Sequence, residues 1–165
     1  MIGAKHILNV LNDHSVDYVV IGALGAMLHG SPLRTDDLDI CPSRDSSNLD
    51  RLGEVLHELN AREWDPRKDE YFERDFSAEF FAGDRLFLLI TEFGALDLVF
   101  EPTGTGGYDD LIQQAVEIDV EGLMVPTASL GDIIRSKEAT DRESDREQLP
   151  TLRRLWSRLQ ESGEA

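Results

Sequence analysis

Cysteine occurs once, at Cys41, which excludes an internal disulfide and any CxxC metal site. A cytoplasmic setting is therefore the expectation. Long apolar runs are also missing: none approaches the roughly 18 residues that a membrane span requires. The N-terminal stretch MIGAKHILNVLNDHSV is too short and too polar to read as a signal peptide. There is no GxGxxG and no Walker A lysine, so the two commonest glycine-rich nucleotide cradles are ruled out. Positive charge is in deficit, with 16 basic against 33 acidic residues and a net charge of −17. A field of that sign repels nucleic acid and anionic membranes. It does not oppose a phosphate-bearing ligand held by metal ions and a local basic face. Lysine is scarcest of all, present only at Lys5, Lys68 and Lys137, so a lysine in an unusual place carries information.

What is present suffices for one core. The chain has 165 residues of which 41% are apolar, so its 30% charged content does not make it disordered. No repeat or linker divides it. Ile7, Leu8 and Leu11 mark a first helix, and Tyr18 to Ile21 reads as an apolar strand ending at Gly22. A short helical stretch, Leu24 to His29, is broken by Gly30-Ser31-Pro32, and a second strand follows around Asp37 to Cys41. Leu49, Leu52, Val55, Leu56 and Leu59 recur at helical spacing behind the Asp45-Ser46-Ser47 cap region. Residues 61–79 are charged and read as a loop or an exposed edge segment.

Arg85 to Thr91 and Ala95 to Phe100 read as a strand pair joined at Glu92-Phe93-Gly94. Gly104 to Gly107 is a turn, Asp109 to Val116 reads as helical, and strands lie around Ile118 and Leu123. Ser129 to about Thr140 and Thr151 to Gln160 are helical, with Pro150 near the start of the second. The expected class is α+β with α/β character: one domain over 1–165, a mixed sheet core over about 15–125, and C-terminal helices over about 129–160.

Asp37 and Asp39 stand at i and i+2, so in a strand their carboxylates share a face while Asp36 points away. Two such charges repel, and burying them without a cation costs on the order of several kcal/mol. A hard divalent cation such as Mg²⁺ relieves that cost. Asp97 interrupts Ala95-Leu96-Asp97-Leu98-Val99-Phe100, otherwise a core-quality strand, and an acid there needs a partner: an internal salt bridge or an edge position would serve, as would a cation. Two acids as DxD and one far along the chain form a ligand set for paired metals in phosphoryl or nucleotidyl transfer, against the plainer reading of an acidic strand end in an acidic protein. Gly22-Ala23-Leu24-Gly25 joins a strand to a helix, where backbone N–H groups can approach a phosphate, although a tight turn explains it equally well. Lys137 ends the stripe Leu130, Ile133, Ile134 behind a capping pattern at Ser129 and Asp132. It either snorkels to water or offers a point charge to phosphate. His29 and Cys41 read as structural. Arg142, Arg146, Arg153, Arg154 and Arg158 gather positive charge outside the buried face of the last helix. They balance the acidic body or dock an RNA backbone or acidic partner.

The stretch from Tyr18 to Ile40, YVVIGALGAMLHGSPLRTDDLDI, resembles the signature region of the DNA polymerase β-like nucleotidyltransferase superfamily. There a strand, a Gly-Gly or Gly-Ser turn and a helix precede a DxD strand. FGALDLVF resembles the strand that carries the third carboxylate. SLGDIIRSKEATDRESDREQLPTLRRL resembles the helix pair of the AbiEii/MenT-type branch, which contains toxins of type IV toxin–antitoxin systems.

The resemblance implies a minimal nucleotidyltransferase fold and transfer of a nucleoside monophosphate from an NTP. It implies that Asp37, Asp39 and Asp97 bind two Mg²⁺ ions, with Gly22 and Ala23 at the triphosphate. Lys137 would contact the phosphates, and Arg142 and Asp145 would shape the same pocket. The implied acceptor is a tRNA 3′ end, the implied partner a cognate antitoxin. A protein or small-molecule acceptor of antibiotic type, or a non-catalytic nucleotide- or partner-binding module, are the alternatives. Three features depart from the family pattern: Ala23 replaces the usual Gly or Ser, the Gly22 to Asp37 gap is long, and the chain is very acidic.

Overall fold

The computed structural model describes residues 2–83 and 85–162. Eight strands form one mixed sheet: β1 (Tyr18–Val20), β2 (Leu38–Pro42), β3 (Arg62–Asp65), β4 (Glu70–Phe72), β5 (Leu86–Thr91), β6 (Gly94–Val99), β7 (Val116–Val120) and β8 (Leu123–Thr127). Their spatial order is β4-β3-β5-β6-β2-β1-β8-β7. The β2–β6 and β1–β8 pairs are parallel and the others antiparallel. Six helices accompany the sheet: α1 (Ile2–Asp13), α2 (Gly22–Leu28), α3 (Ser46–Glu58), α4 (Tyr108–Leu111), α5 (Leu130–Thr140) and α6 (Glu143–Ser162). The α+β class expected from the order of elements is the one observed. None of these helices is long and apolar enough to cross a membrane.

Period-two alternation divides the core between the two faces of the sheet. On one face Leu38, Ile40, Leu96, Leu98, Phe87 and Leu89 pack with α1, α3 and the aromatic residues Phe76, Phe80 and Phe81. On the other, Val19, Ile21 and Cys41 pack with Ile133 and Ile134 of α5 and Leu152 and Leu155 of α6. That second cluster contains no residue of β3, β4 or β5, so α5 and α6 cover only part of their face. Asn48, fully buried at the start of α3, ties β1 to β2. Its Oδ1 accepts from the Asp17 N–H at 2.7 Å, and its Nδ2 donates to the Asp17 and Ser43 carbonyls at 2.9 and 3.0 Å.

Two segments differ from their sequence expectation, and a third takes the edge position that is one of its two readings. The charged stretch 61–79 contains two paired strands, β3 and β4, at the sheet edge, where charged side chains keep their access to water. The helix expected over Asp109 to Val116 is the short α4, because Val116 already pairs with Thr127. The last helix begins at Glu143 and carries the exposed Pro150 inside it. Asp141, in the left-handed region at φ 51°, ends α5, and the acidic Glu143 and Asp145 suit the first turn of α6.

Candidate active site

Sheet register creates the central feature. β2 and β6 run parallel with Asp39 opposite Asp97, between the buried pairs Leu38–Leu96 and Ile40–Leu98. Asp39 and Asp97 therefore point from one face, at neighbouring strands about 4.8 Å apart. Asp37 lies one residue ahead of β2, its N–H donating to Thr35 Oγ1 at 3.1 Å, and it is exposed. Burial and the Asp37 charge push the Asp39 carboxyl up to about 6, against the pull of Lys137 and Arg142. Burial, Asp39 and Asp37 push Asp97 up to about 6 as well.

Gly22 closes one side. It follows β1, and the Ile21 N–H before it donates to the Asp39 carbonyl at 3.0 Å. Its φ of 66° is left-handed, and a Cβ built there would stand 2.3 Å from Asp39 Oδ2. Only glycine lets the backbone pass so close to that carboxylate. We expect Gly22→Ala to lose about 1–2 kcal/mol from the backbone conformation alone. Displacement of Asp39 adds to that cost. Urea denaturation checks it, and an unchanged midpoint would refute this account of the turn.

The opposite wall comes from α5 and α6. Lys137 Nζ donates to Asp145 Oδ1 at 2.8 Å, with 13% and 9% of the two side chains exposed. Ser129 caps α5, accepting from the Asp132 N–H at 3.1 Å and donating to Asp132 Oδ2 at 2.8 Å, so the helix carrying Lys137 starts at a defined point. Arg142 lies in the α5–α6 connection. A single cavity of about 640 Å³ brings together Gly22, Ala23, Asp37, Asp39, Asp97, Lys137, Arg142 and Asp145. Every residue singled out in the sequence for this site lines it.

The cavity also holds residues that carry no signal in the sequence. Thr105, in the Gly104–Gly107 turn, lines it, as do Ser136, Thr140 and Gln148. Small polar residues on helices read as solvent-facing until the fold turns them inward. Gln148 Oε1 is buried without a hydrogen-bond partner. His29 and Cys41 are structural as expected. His29 Nε2 contacts the Ala128 carbonyl at 2.8 Å, and burial pushes the Cys41 thiol up to about 12. Of the C-terminal arginines, Arg146 pairs with Asp141 at 3.1 Å and Arg153 with Glu138 at 2.6 Å.

The two raised carboxyls set a pH dependence. An unfolded aspartate titrates near 3.9, so between about pH 4 and pH 6 the folded chain holds protons that the unfolded chain has released. Stability from Asp39 and Asp97 is thus complete below pH 4, falls as pH rises to about 6, and is level above. A divalent cation favours the ionised carboxylates. Thermal melts with and without Mg²⁺ should show a larger gain from the cation at about pH 8 than at about pH 5. Equal gains would refute binding at these groups.

No protein-family model matches the chain, and no curated protein matches it. Solved structures do. The lincosamide antibiotic adenylyltransferase LnuA, in its lincomycin-bound form, superposes with a TM-score of 0.63 at 17% identity, over 93% of this chain and 96% of that one. ANT(2'')-Ia in complex with adenylyl-2''-tobramycin gives 0.61 at 14% identity, over 96% and 90%. A candidate nucleotidyltransferase from Thermotoga maritima gives 0.57 at 18% identity, over 93% and 90%. The chain has the fold shared by these nucleotidyltransferases.

Proposed function

We propose that this protein is an Mg²⁺-dependent nucleotidyltransferase that moves a nucleoside monophosphate from an NTP to an acceptor hydroxyl. The observation that carries the reading is the register pairing of Asp39 with Asp97 in a cavity that also holds Gly22 and Lys137. Among the described residues no group of three or more His, Cys, Asp or Glu is gathered closely enough to hold a metal ion alone. Mg²⁺ usually takes one or two carboxylates and completes its shell with substrate phosphates and water. Asp39 and Asp97, with Asp37 beside them, supply the hard oxygens. The bound cation would polarise the α-phosphate and neutralise the departing pyrophosphate.

The chain's own groups account for the rest. Backbone N–H groups at Gly22 and Ala23 open α2 toward the phosphates. Lys137 and Arg142 offset negative charge, and Asp145 fixes the Lys137 ammonium. Asp97, opposite Asp39 and lining the same cavity, is placed to help take the acceptor proton. The acceptor oxygen bonds to the α-phosphorus, the bond from that phosphorus to the β-bridging oxygen breaks, and pyrophosphate leaves.

The observations favour a small hydroxyl-bearing acceptor over the tRNA 3′ end. A net charge of −17 opposes a polyanion, and LnuA is an adenylyltransferase of a small antibiotic. The toxin role and an antitoxin partner belong with the tRNA reading, and a cytoplasmic setting fits either. Incubation with α-labelled NTPs, Mg²⁺, total RNA and a panel of small alcohols tests the proposal. Label should pass to a small molecule and be lost with Asp39→Ala. Label on RNA would return the acceptor to tRNA. No transfer, or transfer surviving Asp39→Ala, would sink the enzyme reading.

A further inference from the structure

β5 is apolar on both faces but covered on only one. Phe87 and Leu89 are buried against Phe80, Phe81 and their neighbours, while Leu86 and Leu88 on the opposite face are 48% and 38% exposed. The register places these residues relative to the catalytic acids. Leu88 is opposite Asp97, and Leu86 is opposite Val99. Arg62 of β3 is opposite Ile90 of β5, so the same antiparallel register carries Trp64 to the level of Leu88. Trp64 in turn is opposite Tyr71 of β4. Cross-strand partners share a face, so one row crosses the sheet in the order Asp39, Asp97, Leu88, Trp64, Tyr71.

The row is acidic at one end and apolar at the other. Trp64 and Tyr71 pack with ring centroids 4.9 Å apart at 56°, and Tyr71 remains 43% exposed. The Arg62 guanidinium lies 5.9 Å from the Tyr71 ring and forms no ion pair among the described residues. At about 4.8 Å per strand, Trp64 stands roughly 10 Å from the Asp97 strand. An uncovered apolar shelf that begins at a catalytic carboxylate is positioned for whatever must present a hydroxyl to that carboxylate.

We infer that Leu86, Leu88, Trp64 and Tyr71 seat the acceptor. The acceptor is then a small alcohol with a flat apolar or aromatic body, lying on the shelf with its hydroxyl toward Asp97. This rests on the nucleotidyl-transfer reading and narrows it. Charge separates this occupant from a nucleic acid. Among the described residues the shelf offers one cation without a carboxylate partner, Arg62, whereas Arg85 beside it is paired with Glu101 at 3.1 Å. A phosphate backbone would need a row of them. Area separates it from a second copy of the chain, since a stable protein interface uses roughly 20–30 residues a side.

The test uses the full chain carrying Trp156→Phe, so that emission excited at about 295 nm reports Trp64 alone. The probe is biphenyl-4-methanol, a ring-bearing alcohol of about the shelf's length, and glycerol is the ringless control. Biphenyl-4-methanol should change Trp64 emission saturably and glycerol should not. Leu88→Lys should weaken that binding about fivefold or more, on the scale of a lost aromatic or apolar contact. The affinity for Mg²⁺-ATP, measured by calorimetry, is read in Tyr71→Ala, two strands further from the acids, and should stay within about twofold of the unsubstituted protein. In AMP transfer to the probe, the same variant should raise the acceptor KM and leave kcat in place. Leu86→Lys, at the more exposed position, provides a second lysine variant with the same expected loss of probe binding.

Absence of saturable probe binding while Mg²⁺-ATP still binds overturns the shelf and spares the transfer reading. Equal probe affinity in both lysine variants overturns it as well. Probe binding without Mg²⁺-ATP binding removes the transfer reading and the acceptor assignment with it. A dimer in sedimentation that Leu88→Lys dissociates makes a second copy the occupant, which also overturns the proposal.

Discussion

Asp39→Asn should abolish nucleotidyl transfer and, in the same protein, raise the melting temperature of the metal-free chain above about pH 7. The two effects have one cause. Asp39 is held at about 6 by burial and by the Asp37 charge, so at neutral pH its ionised form opposes folding. The carboxamide keeps the shape and removes the charge. Holding this carboxyl up at about 6 rather than near 4 costs about 2–3 kcal/mol at neutral pH, and Asp39 is buried enough for most of it to be felt. Asp97, more open to water, should give a smaller gain as Asn. Activity moves the opposite way. Losing a charged oxygen of the proposed metal-binding set should lower transfer by about 10³-fold or more. Thermal melts in chelator and a labelled-ATP assay read the two effects separately. A variant both less stable and less active would show that Asp39 is a packing residue.

Lys137→Met should cost about 3–5 kcal/mol of stability. Lys137 and Asp145 are nearly enclosed, and the ammonium donates to the carboxylate at 2.8 Å. Truncating the cation strands a buried carboxylate with no counter-charge. Replacing both members, as Lys137→Met with Asp145→Leu, removes the stranded charge and should restore most of the stability. Urea denaturation of the single and double variants measures this. Transfer should stay low in the double variant, because the phosphate contact proposed for Lys137 is removed whether or not the fold recovers. Recovery of both together would mean that Lys137 acts only as a structural cation.

The parts of the site legible in the sequence are those whose chemistry conflicts with their surroundings. Asp97 stands out because it interrupts an apolar strand, Lys137 because it ends an apolar stripe, and Gly22 because a strand must turn there. The pairing of Asp39 with Asp97 is not legible, since register between distant strands depends on how the whole sheet assembles. Nor is the place of Asp37. It shares the DxD spacing but sits ahead of the strand, held by Thr35. β3 and β4 are hidden by their charges, which an edge position tolerates. Pro150 suggests a helix start because that is where proline costs least. The observed start at Glu143 depends on the left-handed Asp141, which no local rule for proline captures.

The parallel pairing of β2 with β6 has a kinetic consequence. A parallel ladder between distant segments closes a large loop before it gains its hydrogen bonds, so such contacts form slowly. The helices, built from local contacts, form early. During refolding, helical circular dichroism should recover first and binding of Mg²⁺-ATP should lag behind it. The site becomes competent only when chain ends of the sheet that were strangers in sequence have met, so ligand capture times the last stage of assembly.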